Sequence, residues 1–337
     1  MLEVLQPGLY TTIQDKGRYG YRAYGVPLSG AMDQRALFCA NWLCGNPADA
    51  AVLEMTILGA RYLVKQDCVI ALAGADMQAA CGGRPLENWR SHVCRAGEEL
   101  VFGYAAQGSR AYLAIAGGIA VPSVMNSRST YARGKIGGLE GRVLKAGDLL
   151  AAGEMKAAEP RAGLPEWFRL AATVQREVTV IRILPGVQCD AFSAEALDVL
   201  CSAPYEVSAD SDRMGYRLAG NAVLPLAGAD IISDALIPGA VQIPGNGMPI
   251  IMLADCQTTG GYTKLAQVIQ PDLDRLAQVP PGGSVQFSLV SEEEALAIRT
   301  AYRSELKRLE TITSNGAAKC FTLTINNKDY HVVVEEE

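Results

Sequence analysis

At 337 residues, with 49% hydrophobic and 20% charged side chains, the chain has the composition of an ordinary globular protein and the length of two domains. A formal net charge of -6 excludes the electrostatic footprint of a nucleic-acid or anionic-membrane binder and leaves small molecules and proteins as partners. Two histidines, His92 and His331, and nine scattered cysteines with no C-x-x-C spacing argue against a metal site, a Ser-His-Asp relay and a disulfide framework, so no metal is expected.

The N-terminus, MLEVLQPGLY, lacks a basic segment followed by an apolar one, and no apolar run approaches the ~20 residues of a membrane span; a cytoplasmic protein is expected. VLQPGLYTTIQDKGRYGY predicts a strand at Val4 and Leu5, a turn at Pro7-Gly8, a second strand through Ile13, and a polar loop carrying Gln14, Asp15 and Arg18 beside Gly17 and Gly20. An Asp-Arg pair there either orients a ligand or holds the loop. Ala36, Leu37, Ala40 and Cys44 recur at helical spacing after Asp33, which can cap the helix, and Gly45 with Pro47 ends it. The chain is then β-rich to about Leu150, with short apolar segments such as Val69–Gly74 and Ala111–Gly118 punctuated by glycine, which favours a barrel or sandwich. Met125–Arg142 interrupts as a long polar loop. Its Ser127, Arg128, Ser129 and Thr130 suit a carboxylate or phosphate, and Arg133, Lys135 and Arg142 add charge, but it lacks the lysine-containing pattern of a self-sufficient nucleotide site.

A linker is expected over residues 154–177, after which the pattern begins again. VTVIRILPG echoes VLQPG, a helix from Ser193 to Cys201 echoes the helix after Asp33, MGYRL at Met214 echoes LGARYL at Leu58, AGAD recurs at Ala227, and GMPIIMLADCQTTGG aligns with GSRAYLAIAGG. Echoes in the same order imply an internal duplication, with β-rich units over residues 1–153 and 178–290. The strand that ends in AGG in the first copy ends in DCQTTGGY in the second. Gln257, Thr258 and Thr259 bring donors and acceptors there, Gly260 and Gly261 can take φ > 0 or admit a ligand beside Tyr262, and the stretch is either a site or a turn held by its own side chains. Asp210, Asp212 and Arg213 form a polar cluster at a pocket or an ion pair holding a loop, while Asp234 and Gln242 lead toward Asp255. A helix over 291–314 opens on the capping-box spacing of Ser291 and Glu294. Its stripe of Ala295, Ile298, Tyr302, Leu306 and Leu309 is expected to pack on the second unit, and residues 315–337 read as a hairpin turning at Asn326–Asp329.

Taken in order, PGLYTTIQDKGRYG, GVPLSGAMD, SRST with IGG, SDRMGYRL, GAVQIP and DCQTTGGY followed by AQVI make the chain, from Val4 to about Val290, resemble the allophanate hydrolase subunit 2 family, also called the biotin-dependent carboxyltransferase or KipA family. The resemblance implies a mainly β fold with short helices, built as two cyclophilin-like β-barrel units. It implies a subunit of an ATP-dependent 5-oxoprolinase that opens a cyclic amide to glutamate alongside 5-oxoprolinase subunits A and B, the KipI-like one of the two most directly, with ATP used in the complex. Under it, Ser127, Arg128, Ser129 and Thr130 meet the anionic group, and Gln257, Thr258 and Thr259 meet the amide. Asp212, Arg213 and Asp255, with Gln257, serve positioning or proton transfer, and Gln14, Asp15, Arg18, Gln242, Gly260, Gly261 and Tyr262 complete the substrate site. The alternatives are carboxyl transfer to urea or another amide from biotin on a separate carrier, and a KipA-like regulatory role with a KipI-like protein. The sequence departs from the family pattern at Asn126, usually glycine, and at Thr263, commonly proline. The tail after Lys319 resembles the opening strands of a biotinyl domain but stops before any Ala-Met-Lys-Met segment.

Overall fold

The computed structural model describes residues 1–154, 161, 163–165, 168, 178–315, 319–325 and 328–334. The first unit runs through β1 (Leu2–Gln6), β2 (Tyr10–Gln14), α1 (Gln34–Cys44), β3 (Val52–Thr56), β4 (Arg61–Val64), β5 (Cys68–Asp76), β6 (Ala80–Cys81), β7 (Arg84–Pro85), β8 (Ser91–Cys94), β9 (Glu99–Val101), β10 (Gln107–Ile115) and β11 (Leu149–Leu150). These strands form a six-stranded sheet, β11-β1-β4-β9-β6-β7, and a five-stranded sheet, β2-β3-β10-β5-β8, around one apolar core. The near-continuous apolar run of β10 follows from burial on both faces. Its Ala111, Leu113 and Ile115 point into the core between the sheets, while Tyr112 and Ala114 pack under α1. Asp33 caps α1, its side chain accepting the Ala36 N–H at 2.8 Å, and Gly45 ends the helix in the left-handed region.

The second unit contains β12 (Val178–Pro185), α2 (Ala196–Cys201), β13 (Tyr205–Val207), β14 (Gly215–Ala219), β15 (Asp230–Ala235), β16 (Ala240–Gln242), β17 (Ile250–Met252), β18 (Thr259–Tyr262), β19 (Lys264–Val268), α3 (Gln270–Ala277) and β20 (Ser284–Leu289). Seven of these strands close a barrel in the order β12-β19-β16-β17-β14-β13-β20, which leaves it no free edge. β15 and β18 stand apart as a two-stranded ribbon. The fold is thus mainly β with short helices, as the strand signals indicate.

Several local expectations change. The end of DCQTTGGY is strand β18, and neither Gly260 nor Gly261 has positive φ. The helix expected from Ser193 begins at Ala196, after a 3-10 turn at Cys189–Ala191. Much of 154–177 lies outside the described residues, but Leu164 and Phe168 are buried in the cluster around α1. At the C-terminus β21 (Lys319–Ile325) pairs with β22 (Lys328–Val334), so Lys328 and Asp329, expected in the turn, are strand residues, and 326–327 lie outside the described residues.

The long helix α4 (Glu292–Asn315) opens with the expected capping box: Ser291 N–H donates to Glu294 at 2.8 Å and Glu294 N–H to Ser291 Oγ at 3.1 Å. It packs on both units rather than on the second alone. Tyr302 donates to Asp274 of α3 at 2.6 Å, whereas Glu305 pairs with Arg35 of α1 at 2.9 Å and the Leu309 carbonyl accepts the Trp42 indole N–H at 2.8 Å. The stripe therefore lies along the seam between the units, since α1 and α3 present adjoining surfaces there. Among the described residues no helix is long and apolar enough to cross a membrane.

The same seam buries two carboxyls. Asp274 accepts the Gln34 N–H at 2.8 Å besides the Tyr302 hydroxyl, and Asp33 accepts Gln278 Nε2 at 2.7 Å. Burial first, and then the neighbouring Asp33, push Asp274 up to about 8; burial pushes Asp33 up to about 6 against the hydrogen bond from Gln278. Above the ordinary value of 3.8 and below about 8, the native state holds an Asp274 proton that the unfolded chain releases, so this group lowers stability as pH rises through that window. Asp274→Asn keeps an acceptor for the Gln34 N–H and turns an amide N–H toward the Tyr302 oxygen, but cannot titrate. Urea midpoints at pH 5 and pH 8 are expected to fall less between the two for the variant than for the parent chain.

Candidate functional site

The loop from Asp15 to Asp33 threads between the units and organises two buried polar clusters. In the first, Asp15 accepts hydrogen bonds from Ser127 Oγ at 2.7 Å, the Arg128 N–H at 2.5 Å and the Gly17 N–H at 2.8 Å, and also from Ser129 Oγ, while its own N–H donates to Ser129 Oγ at 3.0 Å. Arg18 reaches under the same loop, donating to the carbonyls of Ser129 at 2.7 Å and Val124 at 3.1 Å. It is fully buried, and burial lowers its pKa against the pull of Asp15 and Asp255. Gln14 donates to the Thr130 carbonyl at 3.2 Å and Thr130 to the Ile13 carbonyl at 3.0 Å. The hydroxyls expected to meet an anion are thus engaged in holding the 125–142 loop to β2. Arg128 keeps an exposed side chain.

Asn126 follows Met125 in a tight turn closed by the Val124–Ser127 bridge, with φ of 53° and 59° at the two central residues. That is the left-handed pair favoured in two-residue hairpins, and asparagine tolerates it better than most residues.

The second cluster surrounds Arg213. Its Nε and Nη2 bind both oxygens of Asp255, at 3.0 and 3.1 Å, its Nη1 binds Glu54 of β3, and its Nη2 also donates to the Gly30 carbonyl at 2.6 Å. Glu54 accepts in addition the Met32 N–H and the Tyr112 hydroxyl, both at 2.8 Å. Burial would lower the Arg213 pKa, but Asp255 and Glu54 together outweigh it and raise it, and burial raises Tyr10 beside them. The clusters adjoin because Gly30 lies backbone to backbone on Gly17: a Cβ on Gly30, at φ 87°, would stand 2.8 Å from the Gly17 Cα. Asp212 is exposed, caps the turn to β14 through the Met214 N–H at 2.8 Å, and meets Arg133 of the 125–142 loop at 3.4 Å.

The ribbon forms a third region. Gln257 and Thr259 are exposed and Thr258 half-buried, while Gln242 is buried and donates to the Tyr262 carbonyl at 3.2 Å. Gly260 packs closely on Gln242, and a Cβ there would stand 2.6 Å from Gln242 Nε2. Thr263 donates its backbone N–H to the Ala229 carbonyl at 3.0 Å, a bond that proline could not make. Lys264, also buried, pairs with Asp234 at 2.8 Å.

Between the units lies a cavity of about 830 Å³, a size suited to a small ligand. Leu28, Met32, Leu184, Ile237, Leu253 and Leu273 give it apolar walls, and Lys16, Arg22, Arg299, Asp274, Glu292 and Glu293 also line it. None of the residues singled out in the sequence as site candidates lines it. Arg22 is the link: it donates to the carbonyls of Leu236 and, at 3.5 Å, Gln257, and its buried Nη1 has no partner among the described residues. Sequence reasoning misses it because a lone arginine in YRAYG carries no motif; the nearest signal is the glycine-rich loop around it.

Replacing Arg213 by alanine leaves Glu54 and Asp255 buried without their shared cation, a loss of about 3–5 kcal/mol. Denaturant unfolding of Arg213→Ala should show that loss, and Arg213→Lys, which cannot span both carboxylates in the same fork, should recover only part of it.

Residues 24–289 match the family model for the carboxyltransferase domain, subdomain A and B. The chain is 40% identical over 303 residues to the C subunit of 5-oxoprolinase from Escherichia coli (strain K12), covering 89% of this chain and 94% of that protein. Among solved structures, TTHA0988 superposes with a TM-score of 0.77 and 34% identity over 85% of this chain, and the urea carboxylase of Kluyveromyces lactis with 0.85 and 29% over 91%. The chain spans 55% of the first of those chains and 29% of the second. By the family model and the near full-length likeness together, the chain belongs to the carboxyltransferase domain, subdomain A and B, family.

Proposed function

We propose that the chain is the C subunit of a multi-subunit 5-oxoprolinase, which opens the 5-oxoproline lactam to glutamate with hydrolysis of ATP. The observation that carries this reading is the 40% identity to the E. coli 5-oxoprolinase protein over nearly its whole length. The inter-unit cavity is consistent in chemistry with the substrate, a small ring bearing one carboxylate. Leu28, Met32, Ile237 and Leu253 offer apolar surface to the ring methylenes, and the half-buried Arg22 in the lining brings a positive charge for the carboxylate.

The chain carries no lysine-containing phosphate-loop pattern for a triphosphate. The ATP site is therefore assigned to another member of the complex, with subunits A and B as the partners and the KipI-like one of the two the most direct. A lactam resists water because its amide is resonance-stabilised, and an activated amide oxygen is a better leaving group. In this reading the chain's own residues bind and orient the lactam and exclude water from its apolar face.

A second reading, carboxyl transfer from biotin on a separate carrier to urea or another amide, is favoured by the TM-score of 0.85 to the K. lactis urea carboxylase. Bicarbonate-dependent, avidin-sensitive turnover distinguishes it. The deciding measurement is 5-oxoproline-dependent release of ADP and glutamate by the chain co-expressed with subunits A and B. Release should vanish when this chain is omitted, and its persistence would sink the proposal. In the assembled complex Arg22→Ala should raise KM for 5-oxoproline by about 10–100-fold, the worth of a hydrogen bond to a charged group. An unchanged KM removes Arg22 from the carboxylate site, and unchanged turnover in Gln257→Ala or Arg128→Ala removes those residues from the site.

A further inference from the structure

The spacing of the cysteines argues against a zinc site, but the sheets of the first unit bring together what the sequence keeps apart. Cys94 ends β8, the turn Arg95–Glu98 leads directly into β9, and β6 lies against β9 with Cys81 opposite Leu100. The two thiols and the Glu98 carboxylate thereby meet, with ligand atoms all within 4.8 Å of one another. Both sulfurs are buried in the core between the sheets, while Glu98 lies half-buried at its edge.

The distances suit a metal. Two ligands bonded at about 2.3 Å (sulfur) and about 2.1 Å (oxygen) with a tetrahedral angle stand about 3.6 Å apart. Cys81 Sγ stands 3.3 Å from Glu98 Oε2, so this pair needs only a small separation to admit an ion. The surroundings are those of a supported ligand set. Glu98 Oε2 is fixed by the Arg95 N–H at 2.7 Å, and Glu98 Oε1 takes the Arg84 guanidinium at 3.0 Å. Gly82 at φ 57° leaves room for the carboxylate, for a Cβ there would lie 2.6 Å from Glu98 Oε1. Two thiolates and a carboxylate around a divalent ion leave one negative charge, which Arg84 offsets.

We propose that Cys81, Cys94 and Glu98 form a binding site for a soft divalent cation of the zinc class, clamping the two sheets of the first unit together, with water as the fourth ligand on the half-exposed Glu98 side. Binding exchanges the two S–H protons for the ion, and both protons leave to solvent. Because binding releases both thiol protons, affinity increases with pH.

The test uses the full chain, stripped of metal under reducing conditions, dialysed against Zn²⁺ and then metal-free buffer, with bound zinc counted by mass spectrometry. Co²⁺ is added to a second portion and its absorption spectrum recorded. One ion per chain and a thiolate-to-cobalt charge-transfer band with tetrahedral d–d bands are expected. Arg84→Ala should weaken binding by about 10–100-fold, and Glu98→Gln, which leaves the core thiols in place, by at least as much. Cys201→Ser, on α2 of the other unit, should bind as the parent does. A parent chain that loses its zinc on dialysis and gives no thiolate band with cobalt overturns the proposal, as does undiminished affinity in Glu98→Gln. Cys94→Ser tests the thiol directly: a folded variant that still shows the parent cobalt spectrum also overturns it.

Discussion

The Arg213 guanidinium, buried between Glu54 and Asp255, is the interaction on which the relation of the two units depends. Glu54 belongs to a strand of the first unit, Arg213 and Asp255 to loops of the second, and all three are almost wholly shielded from water. A buried ion cluster of this kind adds little net stability over an apolar replacement, but it is severe about geometry, because any displacement leaves an unpaired charge in a low dielectric. Its effect is to set one relative placement of the units. Each partner is then used again: Glu54 fixes the Met32 N–H and the Tyr112 hydroxyl, and Arg213 fixes the Gly30 carbonyl.

From that constraint the rest of the seam follows. Holding Gly30 and Met32 positions the Asp15–Asp33 loop, which ties the 125–142 loop to β2 through Asp15 on one side and forms a wall of the cavity through Leu28 and Met32 on the other. Asp33 and Asp274 join α1 to α3, and α4 lies across both. The cavity is a product of docking two cores rather than a feature of either, so its lining alternates between residues near the start of the chain and residues beyond Leu184.

Much of the architecture is legible in the sequence because it is written locally. The Asp33 cap, the Gly45 stop and the Ser291–Glu294 capping box each involve neighbours within a few residues. The candidate site is legible only in part. Polar residues in glycine-rich loops stand out as unusual, yet their partners lie far along the chain. Ser127 and Ser129 are matched to Asp15 across more than a hundred positions, and Arg213 to Glu54 across 159. Residue type cannot say whether a hydroxyl will be taken up by a loop or left for a ligand. The same limit hides Arg22, and it conceals the meeting of Cys81 with Cys94, which depends on how β8, β9 and β6 are ordered in the two sheets.

The distribution of the Arg213 cluster also bears on how such a chain can change over evolutionary time. Cutting the chain into separate halves would strand an uncompensated carboxylate in one fragment and expose an arginine-aspartate pair, with its surrounding apolar surface, in the other. Each fragment would be driven toward aggregation or back to its complement. Two units locked by a charge held in common lose the freedom to part and travel as independent modules.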